Sequence, residues 1–207
     1  MLINLRNAMM AGKRLPYDAE LEYLQSSGTQ YIDTGVKGNA SASLVIECTF
    51  LQKQYSGTVG FVFGSRSAAN KRFGFVVIPG GSGGNYSFGY RSDHVYNVAL
   101  SSNFETVRFV ATPTLAECTF RGTTLIASDA PLDTNLNIYI FTRNFSGSTG
   151  QNFEGCLASL KIYANGVLVR DYIPVRKGTV GYLYDRVSGK LFGNAGTGDF
   201  VLGPDKN

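Results

Sequence analysis

The sequence predicts an all-β fold, two antiparallel sheets packed face to face as a sandwich, on three observations. Beyond residue 20 nearly every segment alternates apolar and polar residues with period two, no segment there carries a sustained helical stripe, and the alternating runs are short and bounded by Gly, Pro, Asn, Asp or Ser. About a dozen such strands are too many for one open sheet, which favours two packed sheets. The 207 residues fit one domain, and at that size folding removes roughly 70% of the extended chain's surface from water. Apolar residues make up 43% and aromatics 13%, with 12 Tyr, 14 Phe and no Trp, enough for a full core, and 25 glycines suit many tight turns.

The elements follow in order. LEYLQSSGTQYIDTGV, residues 21–36, reads as a hairpin: Tyr31, Ile32, Thr34 and Val36 suit a pleated, half-buried surface, and Gly28 turns the chain. In SLVIECTF, Leu44, Ile46, Cys48 and Phe50 share one face while Val45, Glu47 and Thr49 share the other. TVGFVFGS and RFGFVVI continue the pattern up to PGGSGGN, residues 79–85, which is too glycine-rich to be regular and predicts an exposed, mobile loop. NYSFGYR, TVRFVAT, LAECTF, TTLIAS, NIYIFTR, GCLASLKIYA, VLVRDYI, YLYDRV and KLFG are the later strands. Asn165-Gly166 is the residue pair that a two-residue type I′ hairpin wants, and Arg121-Gly122 and Ser188-Gly189 predict similar turns. Pro174 predicts a strand end, because it has no N–H for a ladder.

Ahead of these strands lies an arm, residues 1–18, set apart from a domain at 19–207. Leu2, Leu5 and Met9 share one helical stripe, Ile3 and Met10 flank it, and Lys13-Arg14 close it before Pro16. Burying five such side chains contributes about 1.5–3 kcal/mol each, and ordering the residues of the arm costs roughly 1–2 kcal/mol apiece. With that balance near zero, the arm is expected to order by docking on a neighbouring subunit, with Leu2, Ile3, Leu5, Met9, Met10 and Arg14 as its contacts.

The formal charge is +4, from 19 basic and 15 acidic side chains, and Arg6, Lys13 and Arg14 against Asp18 place two of those units in the arm. The remaining body carries no clustered basic face beyond Arg170, Arg176, Lys177, Arg186 and Lys190, so nucleic acid is not an expected partner. Cys48, Cys118 and Cys156 each sit inside an apolar strand-like run and are expected as buried, inert thiols; an odd number argues against a full disulfide framework, although one pair stays open. With His94 the only histidine, no zinc spacing exists. No apolar run approaches the roughly 20 residues of a membrane helix. Asn4, Arg6 and Asn7 interrupt any leader-like segment and Met1 is present, so no signal peptide is expected.

EYLQSSGTQYIDTGV near the start and GYLYDRVSGKLFGNAGTGDFVLGPD at the end resemble the opening and closing motifs of laminin-G-like, concanavalin A-like jelly-roll domains of phage and phage-derived bacterial proteins. NFEGCLASLKIYANGVLVRDYIPV is similar to the late strand pair of that superfamily. The resemblance covers roughly residues 20–207 and implies a two-sheet antiparallel jelly roll. It also implies chain ends side by side, the opening hairpin pairing with or lying beside a closing strand at Asp199–Leu202.

Such an architecture hosts lectins, glycosidases, adhesion modules and virion parts, so residues must decide. The Glu-x-Asp-x-x-Glu of jelly-roll glucanases is missing, Glu47, Glu105, Glu117 and Glu154 stand singly as solvent-facing strand positions, and His94 beside Asp93 reads as a surface residue of a loop-like segment. No enzyme and no cofactor are expected. Asp18, Asp129 and Asp133 read as turn formers, not as a calcium cluster. For a glycan the candidates are Tyr86, Phe88, Tyr90, Arg91, His94 and Tyr96, aromatic faces and hydrogen-bonding groups beside the glycine loop. The expected function is a non-enzymatic phage virion structural protein, a capsid decoration, tail or baseplate component. It would be made in the host cytoplasm, docked by its arm to other virion proteins in a homo-oligomer or symmetric assembly, and displayed on the particle surface. The alternative is a glycan-binding adhesin or lectin module that attaches to host-cell carbohydrate.

Overall fold

The structure, a computed structural model, describes residues 15–39, 43–53, 57–69, 71–80, 84–127 and 133–206. Leu2, Ile3, Leu5, Met9, Met10 and Arg14 of the expected docking arm lie outside the described residues, as do Asp129 and residues 81–83 of the glycine loop.

The alternating segments form nineteen strands among the described residues and no helix. In chain order they are β1 (Ala19–Glu20), β2 (Leu24–Ser27), β3 (Ile32–Asn39), β4 (Leu44–Gln52), β5 (Gly60–Ala68), β6 (Lys71–Ile78), β7 (Asn85–Tyr90), β8 (Ser92–Tyr96), β9 (Glu105–Ala111), β10 (Ala116–Phe120), β11 (Thr123–Ala127), β12 (Asp133–Ile140), β13 (Arg143–Phe145), β14 (Ser148–Gly150), β15 (Glu154–Ala164), β16 (Val167–Lys177), β17 (Val180–Asp185), β18 (Lys190–Phe192) and β19 (Val201–Leu202). The larger sheet runs β11-β10-β9-β4-β15-β16-β17-β18, with β2 completing the β15 edge and β1 and β19 attached. The smaller runs β14-β13-β5-β6-β7-β8, with β12 beside β5 and β3 beside β12. Every pairing is antiparallel except β13 against β5.

This is the expected jelly-roll sandwich, and rings from both sheets fill its interior. From the larger sheet, Phe50 meets Phe75 and Tyr86 of the smaller at centroid distances of 5.5 and 6.1 Å, and Phe109 stacks on Phe73 at 5.7 Å. Each such ring contributes about 1.5–3 kcal/mol by leaving water. Alternation along β4 puts Leu44, Ile46, Cys48 and Phe50 into this core and leaves Val45, Glu47 and Thr49 outside.

Two turns form as predicted. Asn165 and Gly166 (φ 50° and 77°) join Ala164 to Val167, and Arg121 and Gly122 (φ 48° and 75°) join Phe120 to Thr123, both with the positive φ pair of a type I′ turn. Three expectations need correction. Residues 21–36 are not a hairpin: β2 lies in the larger sheet and β3 in the smaller, so Gly28 (φ 100°) turns the chain from one layer to the other. Ser188-Gly189 is not a two-residue turn, because β17 ends at Asp185 and β18 begins at Lys190, and the Asp185 carboxylate holds the four-residue loop between them. Nor does Pro174 end a strand. Its carbonyl accepts from the Leu21 amide, so the side on which it lacks an N–H is where β16 changes partner, from β15 at Tyr172 to β1 at Val175.

The opening segment and the closing strand meet as expected. Leu24 and Gln25 of β2 pair with Leu202 and Val201 of β19. Gln30 ties the seam, its Oε1 accepting from the Ser27 amide at 2.8 Å and its Nε2 donating to the Asp199 carbonyl at 3.0 Å. Tyr17 and Asp18, placed by sequence in the arm, are held by the sandwich: Tyr17 packs on Tyr184 and the Gly178 amide donates to the Asp18 carboxylate at 2.7 Å.

Candidate functional site

The six residues predicted for a glycan do not form a platform. Tyr86, Phe88 and Tyr90 are fully buried and Tyr96 is 2% exposed. Their strands pair Tyr86 with Tyr96 and Phe88 with His94, all turned toward the larger sheet, where the four rings are core that no sugar can reach. The Tyr86 hydroxyl accepts from the Ser101 amide at 3.0 Å, and the Tyr96 hydroxyl donates to the Cys118 carbonyl. His94 lies on a strand instead of a loop, its ring stacked on Phe88 at 4.6 Å, and Arg91 (φ 61°) occupies the turn between β7 and β8.

A concave polar surface lies on the outer face of the larger sheet. Sequence-distant strands β15, β4, β9 and β10 lie side by side there, and their registers lay outward residues in rows. One row is Ser159, Thr49 and Thr106; the next is Lys161, Glu47, Arg108 and Thr119; the third is Tyr163, Val45, Val110 and Glu117. A groove of about 380 Å³ runs over the first two rows, lined by Glu47, Thr49, Thr106, Arg108, Ser159 and Lys161, with Cys48 in its floor.

Its side chains are partly organised already. Arg108 is shared between two carboxylates, Nε at 3.5 Å from Glu47 and a terminal nitrogen at 3.8 Å from Glu117, and the Thr49 and Thr106 hydroxyls lie 3.1 Å apart. Lys161 has no ion pair among the described residues, although Glu47 is its cross-strand neighbour. Three hydroxyls, an ammonium, a guanidinium and a carboxylate therefore face one trough, beside an apolar row in which Tyr163 and the two valines are half-buried. Such a surface can hydrogen-bond hydroxyl-rich ligands along one edge and cover an apolar ring face along the other. Among the described residues no three His, Cys, Asp or Glu side chains gather as a metal site. The outward positions Glu47, Arg108 and Lys161 are visible in the sequence by alternation, but strand adjacency, which unites them, is not.

No protein-family model matches the sequence, and no curated protein does. Solved structures do match in shape. A Bacteroides ovatus protein to which carbohydrate binding has been ascribed superposes with a TM-score of 0.61 at 11% identity, over 88% of this chain and 60% of that one. The chain thus spans about three fifths of that protein's length. The CBM40 of the Ruminococcus gnavus IT-sialidase, bound to α2,3-sialyllactose, superposes with a TM-score of 0.50 at 14% identity over 69% of this chain and 89% of that one. A leech intramolecular trans-sialidase complexed with 2,7-anhydro-Neu5Ac gives the same score and identity, over 72% of this chain and 26% of that one. At these identities the likeness is one of fold.

Proposed function

We propose that this chain is a non-enzymatic glycan-binding module and that an oligosaccharide lies in the groove across β15, β4 and β9. The observation that carries the reading is the row arrangement. Hydroxyl, charged and apolar side chains stand in parallel lines spaced as neighbouring residues of a sheet, matching a sugar's polar rim and apolar face. The carbohydrate ligands or binding roles of the similarly folded proteins support it. A virion role, by contrast, rests on an arm outside the described residues. Binding is favoured over hydrolysis because Arg108 is shared between Glu47 and Glu117, an arrangement for holding charge and not for passing a proton to a glycosidic oxygen.

A glycan array tests this. The wild-type chain is expected to give a hit that Lys161→Ala with Thr106→Ala weakens by about tenfold or more, the loss of one or two hydrogen bonds to a ligand. Both positions are solvent-facing, so the fold should be retained. An array without a hit, or a hit indifferent to these changes, would sink the reading.

A further inference from the structure

The smaller sheet carries a second polar feature, on the face opposite the groove. The β13–β14 hairpin folds against β5, with Asn144 beside Ser65 and Phe145 beside Arg66. This places Arg143 above Phe61, its guanidinium 5.3 Å from that ring and 5.2 Å from the Phe145 ring, while Arg66 lies 5.4 Å from Phe145 on its own account. The Phe61 ring packs directly on Gly64 and Gly74, where an added Cβ would lie 2.8 and 2.9 Å from it.

Arg143 is only 9% exposed, and its guanidinium makes no hydrogen bond or ion pair among the described residues; its Nε is buried without an acceptor. Arg72 is in a similar position, its Nε also orphaned, although a terminal nitrogen reaches Asp93 at 2.9 Å. A pocket of about 70 Å³, large enough for one small group, opens between Arg72 and Asp93 over Phe61, Gln151 and the aliphatic Val59, Val76 and Ile78; Arg143 is not in its lining but borders it across the Phe61 ring. Three guanidiniums thus share the patch with one carboxylate that is already taken. A buried charge without an acceptor is costly, and two orphaned arginine donors in one patch are not explained by the fold. Burial, with Arg66 and Arg72 adding to it, pushes the Arg143 guanidinium down to about 10, so it stays charged at neutral pH.

We propose that this arginine–phenylalanine patch is an oxyanion-binding site, which takes the carboxylate or sulfate group of an acidic sugar beside Arg72 and Arg143. Arginine suits both groups, since its planar fork matches two oxygens at once. The site is independent of the groove, since it lies on the other sheet.

The test uses the full chain at low salt, with sodium glucuronate, glucose 6-sulfate and glucose as probes, followed by the arginine Nε–H signals in NMR and by calorimetry. One or both anionic sugars are expected to shift the Arg72 and Arg143 signals and to bind more weakly as sodium chloride is raised, while glucose does neither. A response to glucuronate alone assigns a carboxylate, and one to glucose 6-sulfate alone a sulfate ester. Affinity should fall at least about tenfold in Arg72→Gln, the effect of losing one charge-assisted contact. Arg66→Gln, at the more exposed edge, is the companion variant should Arg72→Gln fail to fold. No shift with either anion, an equal shift with glucose, or unaltered binding by the folded variants would overturn the proposal, and none of these bears on the groove.

Discussion

At the scale of single residues Asp185 is held by many partners at once. It is fully buried, and its two oxygens accept from the amides of Asp171 (2.9 Å), Val187 (3.1 Å) and Ser188 (3.3 Å) and from the Ser188 hydroxyl (2.6 Å), with Arg170 at 3.8 Å. One carboxylate thereby caps the β17–β18 loop and fastens it to β16. Asp185→Ala leaves three amides and the Ser188 hydroxyl without their acceptor, removes the carboxylate beside Arg170, and is expected to cost about 3 kcal/mol in urea unfolding. A loss under about 1 kcal/mol would show that water replaces the carboxylate and that the cap is dispensable. Residue-scale chemistry was only partly visible beforehand. Asn165-Gly166 and Arg121-Gly122 announce their turns because the left-handed backbone is a local requirement, whereas the Ser188-Gly189 loop depends on an aspartate that reads as an ordinary strand residue.

Among elements, the seam between chain ends decides how the sandwich closes. β2 bonds to both β15 and β19, and the closing residues return to β16: Arg176 donates from Nε to one Asp205 oxygen at 2.8 Å and from a terminal nitrogen to the other at 2.6 Å. The forked bond holds the Asp205 carboxyl below the usual carboxylate range. A lowered folded-state value means a contribution that is present above the unfolded carboxylate's range and is lost as pH falls through the lower, folded value. An NMR titration of Asp205 is expected to show that low value in the wild type and a rise toward the ordinary one in Arg176→Gln. Identical titrations in the two proteins would show that the fork does not persist in solution. The side-by-side ends were legible from the motifs at the two termini. The crossing of residues 21–36 between layers was not, because a glycine-centred turn between two strand-like runs looks the same whether the runs pair or part.

For the whole molecule, the two-layer architecture hides its reactive groups and displays polar rows. Cys48, Cys118 and Cys156 are free and buried, and all three lie on strands of the larger sheet. Burial pushes the Cys118 thiol up to about 12 and the Cys156 thiol up to about 11, and raises Cys48 further still. Only thiolates react with disulfide reagents. The folded chain at pH 8 is therefore expected to react with a thiol reagent no faster than it unfolds, and all three thiols should titrate in denaturant. Rapid labelling of even one under native conditions would mean that the larger sheet opens locally. The same layering explains why Tyr86, Phe88, Tyr90 and Tyr96 mislead: alternation shows that they share a face, but the face belongs to the core.

By itself the sequence determined the class of fold, most strand positions, the type I′ turns, the meeting of the opening segment with the closing strand and the burial of the thiols. Each of these follows from a period of two, a local backbone preference or a motif carried in one stretch of chain. Only the tertiary structure decided which sequence-distant strands lie side by side on each face. That choice turns Glu47, Arg108 and Lys161 from isolated outward residues into one groove, and Arg66, Arg72 and Arg143 into one patch. The physical reason is that a strand's two faces are local properties of the chain, whereas the pairing that sets side chains from distant strands next to one another arises when the whole core closes.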